Sequence, residues 1–270
     1  MNSLKIGVIG CAGQMGIALI RKISQNQNCC ISGGVERIGH PKIGHDIGKV
    51  AGLDDLSIAI ESEKETLFQS SNVIIDFTTP DSTKENVSFA LKNQTKLIIG
   101  TTGLNKKIEK FISDAAKEVP ILYSANMSIG INLLTKVVED LSSKLPSKDF
   151  DIEVLEMHHK FKVDSPSGTA IFLGKSAAKG RSINLEKSSE IGRNGNQLLR
   201  KNGNIGFASL RGGGVAGDHT VIFASENERI EVTHKAHDRN LFAAGAVEAS
   251  IWIADKKPGL YSMMDVLGIN

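Results

Sequence analysis

"LKIGVIGCAGQMG", residues Leu4 to Gly16, decides how the chain folds. Leu4 to Ile9 is a short apolar run that reads as a buried strand, and Met15, Leu19 and Ile23 then fall four apart on one helix face. Between them Gly10, Gly13 and Gly16 recur every third residue. Their spacing is G-x-x-G-x-x-G, a departure from the dinucleotide fingerprint G-x-G-x-x-G, but the same physical needs are met. Gly10 allows a tight turn, Gly13 lets the backbone approach a pyrophosphate, and Gly16 permits close packing of helix on sheet. The helix start adds free N–H donors and the positive end of its dipole. Without a ligand, the same residues make a tight βα turn and nothing more.

The unit recurs downstream. "VIIDFTTP" (Val73 to Pro80), "KLIIGTTG" (Lys96 to Gly103) and "PILYSAN" (Pro120 to Asn126) are continuous apolar runs, as expected of parallel strands covered on both faces. Helical patterns lie between them, at about Ser82 to Leu91 and Lys106 to Lys117. The alternation predicts a Rossmann-like, doubly wound parallel sheet. At the end of the weak second strand, "ISGGVER", stands Glu36, where such sheets place a carboxylate on the adenosine ribose hydroxyls. Its neighbour Arg37 is a cation suited to a 2′-phosphate, so the pair is compatible with both NADH and NADPH. A solvated Glu-Arg pair is the other reading. The later strand ends, "FTTP", "GTTG" and "SANMS", are rich in small hydroxyl residues and glycine. Gly100, Thr101 and Thr102 are candidates for the nicotinamide half, against ordinary turn chemistry.

Beyond Asn126 the pattern changes. Leu133, Val137, Leu141 and Leu145 mark one amphipathic helix face. In "DFDIEV", Phe150, Ile152 and Val154 alternate with carboxylates, and in "RIEVTHKA" Ile230, Val232 and His234 alternate with polar residues. Period-2 segments of this kind predict a mixed, open sheet with one solvated or partner-facing side, hence a second, α+β domain. The polar, Gly/Asn-rich stretch from Arg181 to Gly206 reads as a long mobile loop. Leu241 to Ala254 is apolar on almost every side, which predicts a helix buried between domains that returns to the first. The expected division is 1–127 with 240–270, and 128–239.

At 270 residues the chain can bury a substantial core, and 32 basic against 30 acidic side chains give a net charge of +2. That balance gives no global field for nucleic acid or a membrane. The three cysteines, Cys11, Cys29 and Cys30, form no Cys-x-x-Cys pair, which argues against a disulfide framework or structural zinc and for a reducing, cytoplasmic home. "MNSLKIGVIG" is too short an apolar run for a signal peptide or membrane span.

The densest chemistry lies in "EMHHKFKVDSPSGTA", Glu156 to Ala170. A metal site is disfavoured, because side chains on adjacent extended residues point in opposite directions and His158 and His159 cannot easily share one ion. His234 and His237 have H-x-x-H spacing but no accompanying cysteines, so they read as structural or strand-end residues. A basic surface accounts for Lys160 but not for "SPSGTA", where Ser165, Pro166, Ser167, Gly168 and Thr169 form a helix-start signature. Such a start is also a cradle for a carboxylate. Were strand geometry to run on, His158, Lys160 and Lys162 would share one face. A histidine and a lysine beside an anion cradle suit acid catalysis on an anionic substrate.

In order along the chain, "GCAGQMG", "VER", "IGTTG", "ANMSIGIN", "EMHHKFKVDSPSGTA", "IGFASLRGGGVAGDHTVIF" and "EVTHKAHDR" resemble the dihydrodipicolinate reductase family, from about Lys5 to the C-terminus. The resemblance implies NAD(P)H-dependent reduction of 4-hydroxy-tetrahydrodipicolinate, a cyclic dicarboxylate of the diaminopimelate and lysine pathway. It also implies a homotetramer joined through the sheets of the second domain. His158 matches the family's catalytic acid/base and Lys162 its proton donor, while His159, Gly168 and Thr169 match positions that hold the substrate. Gly10, Cys11, Ala12, Gly13, Gln14, Met15, Glu36, Arg37, Gly100, Thr101, Thr102, Ala125, Asn126 and Met127 match dinucleotide contacts. No metal is implied. Met127 stands where many members have phenylalanine, and Ser165 where alanine is usual. Against this stand another Rossmann-type reductase of amino dicarboxylates, and a catalytically silent NAD(P)H-binding sensor, which has no need of His158 and Lys162 together.

Overall fold

The computed structural model describes residues 3–193, 195–196 and 199–269. The chain divides into two compact units, Met1–Ile129 with Arg239–Asn270, and Gly130–Asp238.

The first unit runs β1 (Leu4–Ile9), α1 (Gln14–Ser24), β2 (Cys29–Val35), α2 (Ile47–Val50), β3 (Ile60–Glu61), α3 (Lys64–Ser70), β4 (Val73–Asp76), α4 (Pro80–Asn93), β5 (Lys96–Ile99), α5 (Lys106–Ala115) and β6 (Pro120–Tyr123). After the second unit the chain returns to it. The second unit comprises α6 (Ile129–Lys144), β7 (Asp151–His158), α7 (Gly168–Gly180), α8 (Leu185–Ser188), β8 (Ser189–Ile191), β9 (Ile205–Arg211), β10 (Gly217–Ala224) and β11 (Arg229–Ala236). The returning segment adds α9 (Asn240–Ile253), β12 (Gly259–Tyr261) and α10 (Met263–Val266).

In the first unit seven strands pair in the order β3-β2-β1-β4-β5-β6-β12, every pair parallel. The chain reverses its direction of travel across the sheet between β1 and β4, which opens the crevice where such sheets bind ligands. Ile6, Val8, Ile74, Ile75, Leu97 and Ile98 are fully buried, and each contributes roughly 1.5–3 kcal/mol by leaving water. The helices between the strands have local reasons to start. Thr79 caps α4 ahead of Pro80, and Asn105 accepts from the backbone N–H groups of Lys107 and Ile108 to cap α5. The all-round apolar α9 packs on α1 and on β4, β5 and β6, burying small residues such as Ala243, Ala246 and Ala249. Gly245 meets the Met127 carbonyl so closely that a Cβ there would lie 1.8 Å from its oxygen.

In the second unit five strands pair in the order β11-β10-β7-β9-β8. β7 lies antiparallel to β10 and parallel to β9, so the sheet is mixed. Its alternation is strict along β7, with Ile152, Val154, Glu156 and His158 buried and the residues between them half-buried. α7 covers that face; the other carries Arg193 and Arg200 on Asp151 and Glu153 and is otherwise uncovered by any helix contact among the described residues of the unit.

Two expectations need correction here. In α6 the buried residues are Ile131, Asn132, Thr135, Val138 and Ser142, whereas Leu133 is 51% exposed. The leucine spacing marks a genuine helix whose Leu141 and Leu145 pack against the core, but Leu133 turns outward and Ser142, bonded to the Ala177 carbonyl of α7, faces inward. The stretch 181–206 is not one long loop. It contains α8, capped by Asn184, and β8, which extends the sheet on β9. Asn194, Gln197 and Leu198 of that stretch lie outside the described residues.

Candidate active site

In the first unit the glycine turn sits at the carboxyl end of β1. Gly10 has φ +71°, and its N–H donates to the Val35 carbonyl of the neighbouring strand at 2.9 Å. Such a φ favours glycine. A Cβ on Gly16 would lie 2.2 Å from the Gly10 oxygen, so helix and turn could not approach as they do. Gly13 caps α1 without any side-chain partner for the first N–H groups, which leaves those donors for a ligand.

Glu36 follows β2 directly, and its Oε1 accepts from the Ala12 N–H at 2.9 Å. This bond ties the acidic residue to the turn and orients its carboxylate over the crevice. A cavity of about 780 Å³ opens there, lined by Gly10, Glu36, Arg37, Ile38, Thr78 and Ser82 among others. Its size and position, over the ends of β1, β2 and β4, suit an adenosine moiety. Cys11 is buried, and burial followed by the Glu36 charge pushes its thiol up to about 12. It is a neutral packing group beside the turn.

Other candidates of this unit have structural duties. The Thr101 hydroxyl accepts from the Thr78 N–H at 3.0 Å and donates to Asp76, so it faces the protein. Gly100 is required by Phe77, whose ring a Cβ would meet at 2.3 Å. Met127 is 1% exposed and belongs to the apolar core. Ala125, Thr102 and Gln14 are exposed, while Asn126 and Met15 are half-buried.

Two residues not singled out from the sequence join this region. Buried Asp76 accepts from Thr78, Thr83 and Asn86 and fixes the "FTTP" turn. Arg239 reaches the Gln14 side chain at 3.2 Å and brings a guanidinium to the start of α1. An aspartate ending an apolar run was a legible signal for the first. Nothing local signalled the second, since Arg239 is more than two hundred positions from the turn.

In the second unit the chemistry is assembled by strand register. Glu156 pairs with Ser209 on β9 and with His219 on β10, and His158 pairs with Arg211. All lie toward the α7 side, so the apolar stripe of β7 is continued by an ionic cluster. His158 Nδ1 lies 2.5 Å from Glu156 Oε2. Arg211 grips the same carboxylate with two bonds, at 2.8 and 2.9 Å. The Ser167 N–H donates to its Oε1 at 3.1 Å. Burial works to raise Glu156, but Arg211 and then His158 outweigh it and hold the carboxyl at about 2. The carboxylate is thus charged, and it fixes the His158 proton on Nδ1 and turns Nε2 outward. A Cβ on Gly217 would lie 3.0 Å from that Nε2.

Ser167 links this cluster to α7. Its hydroxyl accepts from the Ala170 N–H as the helix cap and bonds His219 Nε2 at 3.1 Å. Burial, followed by the charge of His158, lowers His219 to about 4, so this imidazole is neutral. Gly168 opens the helix, is exposed, and would meet nothing within 4 Å if it carried a Cβ. Thr169 follows it, half-buried. The Gly168 N–H meets the Asp164 carboxylate, so this helix start already faces one anion.

The strand does not run on past His158, which corrects the expectation of one shared face for His158, Lys160 and Lys162. The His159 and Lys160 N–H groups pair with Val215 and Gly213, and the Lys162 N–H closes a turn onto the His159 carbonyl. Lys160 is exposed over the Phe161 ring. Lys162 instead pairs with Asp164 at 2.6 Å, and Lys162 in turn holds the Asp164 carboxyl below its ordinary value. His159 Nδ1 is buried without a hydrogen-bond partner among the described residues. Glu156, Arg211 and His219 were not singled out from the sequence, whereas Ser167 caps α7 as its helix-start signature predicts. The period-2 pattern of β7, extended two residues beyond Val154, is the available signal for Glu156, whereas cross-strand partners need the register.

Two family descriptions match the chain: "Dihydrodipicolinate reductase, N-terminus" over residues 4–127 and "Dihydrodipicolinate reductase, C-terminus" over 130–267. The second runs through α9 and β12, which belong physically to the first unit. The chain is 48% identical over 269 residues to the 4-hydroxy-tetrahydrodipicolinate reductase of Rhizobium rhizogenes, covering 100% of this chain and 98% of that one. It is 45% identical over 263 residues to that of Brucella melitensis, covering 97% and 98%. Among solved structures, a dipicolinate-bound dihydrodipicolinate reductase from Paenisporosarcina superposes with a TM-score of 0.77 at 22% identity, covering 98% of this chain and 99% of that one. An amine dehydrogenase from Mycobacterium smegmatis superposes at 0.61 with 8% identity, covering 97% and 95%, a likeness of fold.

Proposed function

The chain belongs to the dihydrodipicolinate reductase family, and we propose that it reduces 4-hydroxy-tetrahydrodipicolinate to tetrahydrodipicolinate with loss of water, using NADPH or NADH, in the diaminopimelate and lysine pathway. The observation that carries this reading is the cluster on β7, where an oriented His158 stands in one hydrogen-bonded network with the start of α7.

The first unit fits a dinucleotide. Its uncapped α1 start at Gly13 suits a pyrophosphate, and Glu36 suits the ribose hydroxyls, with Arg37 and Arg239 as nearby cations. When bound, a reduced nicotinamide supplies a hydride. The protein's own groups do the rest. The start of α7 at Gly168 and Thr169, with the unpartnered Nδ1 of His159 beside it, is the proposed place for a substrate carboxylate, which would take over from Asp164 at the Gly168 N–H. Glu156 keeps the Nδ1 proton of His158 engaged, so Nε2 is the atom through which His158 takes or gives a proton. Lys162 carries a second transferable proton on its ammonium. The uncovered face of the second sheet, with Leu155, Met157, Leu210 and Ile222, supports assembly into a homotetramer through these sheets. The three cysteines are free, which suits the reducing cytoplasm, and no helix among the described residues is long and apolar enough to cross a membrane.

The test is to give the purified protein NADPH and freshly made 4-hydroxy-tetrahydrodipicolinate and follow loss of reduced-nicotinamide absorbance. Turnover is expected. In Lys162→Ala, kcat should fall severely with NADPH affinity nearly unchanged. Intact cofactor binding with no turnover in the native protein would instead make it a sensor.

A further inference from the structure

We propose that Arg211 is the positioning residue that holds both proton-handling groups, His158 and Lys162, in one frame, an inference that rests on the roles given to those two side chains above. Its guanidinium makes two bonds to the Glu156 carboxylate, and that carboxylate orients His158. The same group reaches the other way. Nη2 donates to the Asp164 carbonyl at 2.6 Å, and Nε donates to the Lys162 carbonyl at 3.3 Å. The segment so held carries Lys162 and the Asp164 carboxylate that pairs with its ammonium.

One planar fork therefore fixes a charged side chain on a strand and the backbone of the adjoining turn. Arginine is needed for this geometry, because a lysine in its place would bring its charge to Glu156 on a single nitrogen, which cannot span both carboxylate oxygens and the two carbonyls that Arg211 reaches from three. Strand register puts the residue there, since Arg211 is the β9 partner of His158. A plain counter-ion for Glu156 is the simpler alternative, and it makes a different prediction for lysine.

The experiment compares Arg211→Lys and Arg211→Ala with the native full-length protein. Folding is checked by thermal melting, NADPH affinity by nicotinamide fluorescence, and the His158 ring by nitrogen NMR. In Arg211→Lys, kcat should fall about 10²-fold, the loss expected from ångström-scale misplacement, with NADPH affinity unchanged. In Arg211→Ala, added guanidinium should restore part of kcat. Native kcat in folded Arg211→Lys would overturn the proposal, as would absence of guanidinium rescue in folded Arg211→Ala. Should the alanine variant not fold, kcat of Arg211→Lys decides alone. The NMR readout needs no turnover: a native protein that does not reduce the dicarboxylate refutes the functional reading, whereas a His158 spectrum unchanged in Arg211→Lys refutes the positioning role.

Discussion

His158 and Glu156 stand two residues apart on β7 and meet on its covered face, with the imidazole Nδ1 2.5 Å from a carboxylate oxygen whose side chain is 1% exposed. The contact sets which nitrogen of His158 is available for chemistry, and it makes the carboxylate a sensor of acid.

Glu156 is lowered from its ordinary 4.5 to about 2 in the folded protein, where Arg211 and His158 outweigh the effect of burial. A depressed carboxyl contributes stability above its unfolded value and loses that contribution as pH falls through the folded one. Urea unfolding of the native protein should therefore weaken from about pH 4.5 down to about pH 2. Glu156→Gln should flatten that slope, and at neutral pH its kcat should fall by roughly 10²-fold or more, as loss of an oriented acid/base implies. An unchanged slope would show that the carboxylate does not carry the acid sensitivity.

His219 shifts for a different reason. Burial, then the charge of His158, lowers it from 6.5 to about 4, so between those values the unfolded chain binds a proton that the folded one refuses. Stability should thus be fully present above about pH 6.5 and decline toward pH 4. Proton NMR should find the His219 ring untitrated from pH 7 to about pH 5, and His219→Gln should remove this part of the pH dependence of unfolding.

Gly217 leaves room at the outward nitrogen of His158. A Cβ there would lie 3.0 Å from Nε2, closer than ordinary contacts. Gly217→Ala should melt somewhat lower, because its φ of +159° strains any side chain, and the folded variant should lose roughly tenfold or more in kcat, because a small misplacement of an acid/base group is costly. Native kcat in this variant would show that protons do not pass through that nitrogen.

The glycines of the first turn should separate by role. Gly16→Ala sets a Cβ 2.2 Å from the Gly10 oxygen and 2.6 Å from Cys11 backbone atoms, an overpacking worth about 1–3 kcal/mol. Gly13→Ala meets its nearest atom at 3.3 Å. Thermal melting should therefore drop clearly for Gly16→Ala and little for Gly13→Ala, while NADPH binding weakens in both. Equal melting of the two would remove the packing argument for Gly16.

Much of the first unit was legible along the chain, because a parallel sheet covered on both faces writes itself as continuous apolar runs bounded by glycine and hydroxyl turns. The Gly10 turn, Glu36 at the end of β2 and the helix start at Ser167 follow from spacing and local backbone chemistry. The period-2 alternation of β7 likewise marks which residues face inward, and it continues through Glu156 and His158. Tertiary structure decided the rest, because those facts depend on pairing between distant segments. Arg211 and His219 become partners of His158 and Glu156 only through the register of β9 and β10. Thr101 faces Asp76, and Met127 enters the core under α9, for the same reason. A sequence records which way a strand's side chain points. Which residue stands beside it is set by hydrogen bonds between strands, and here that neighbour, Arg211, holds the Glu156 carboxylate that orients His158.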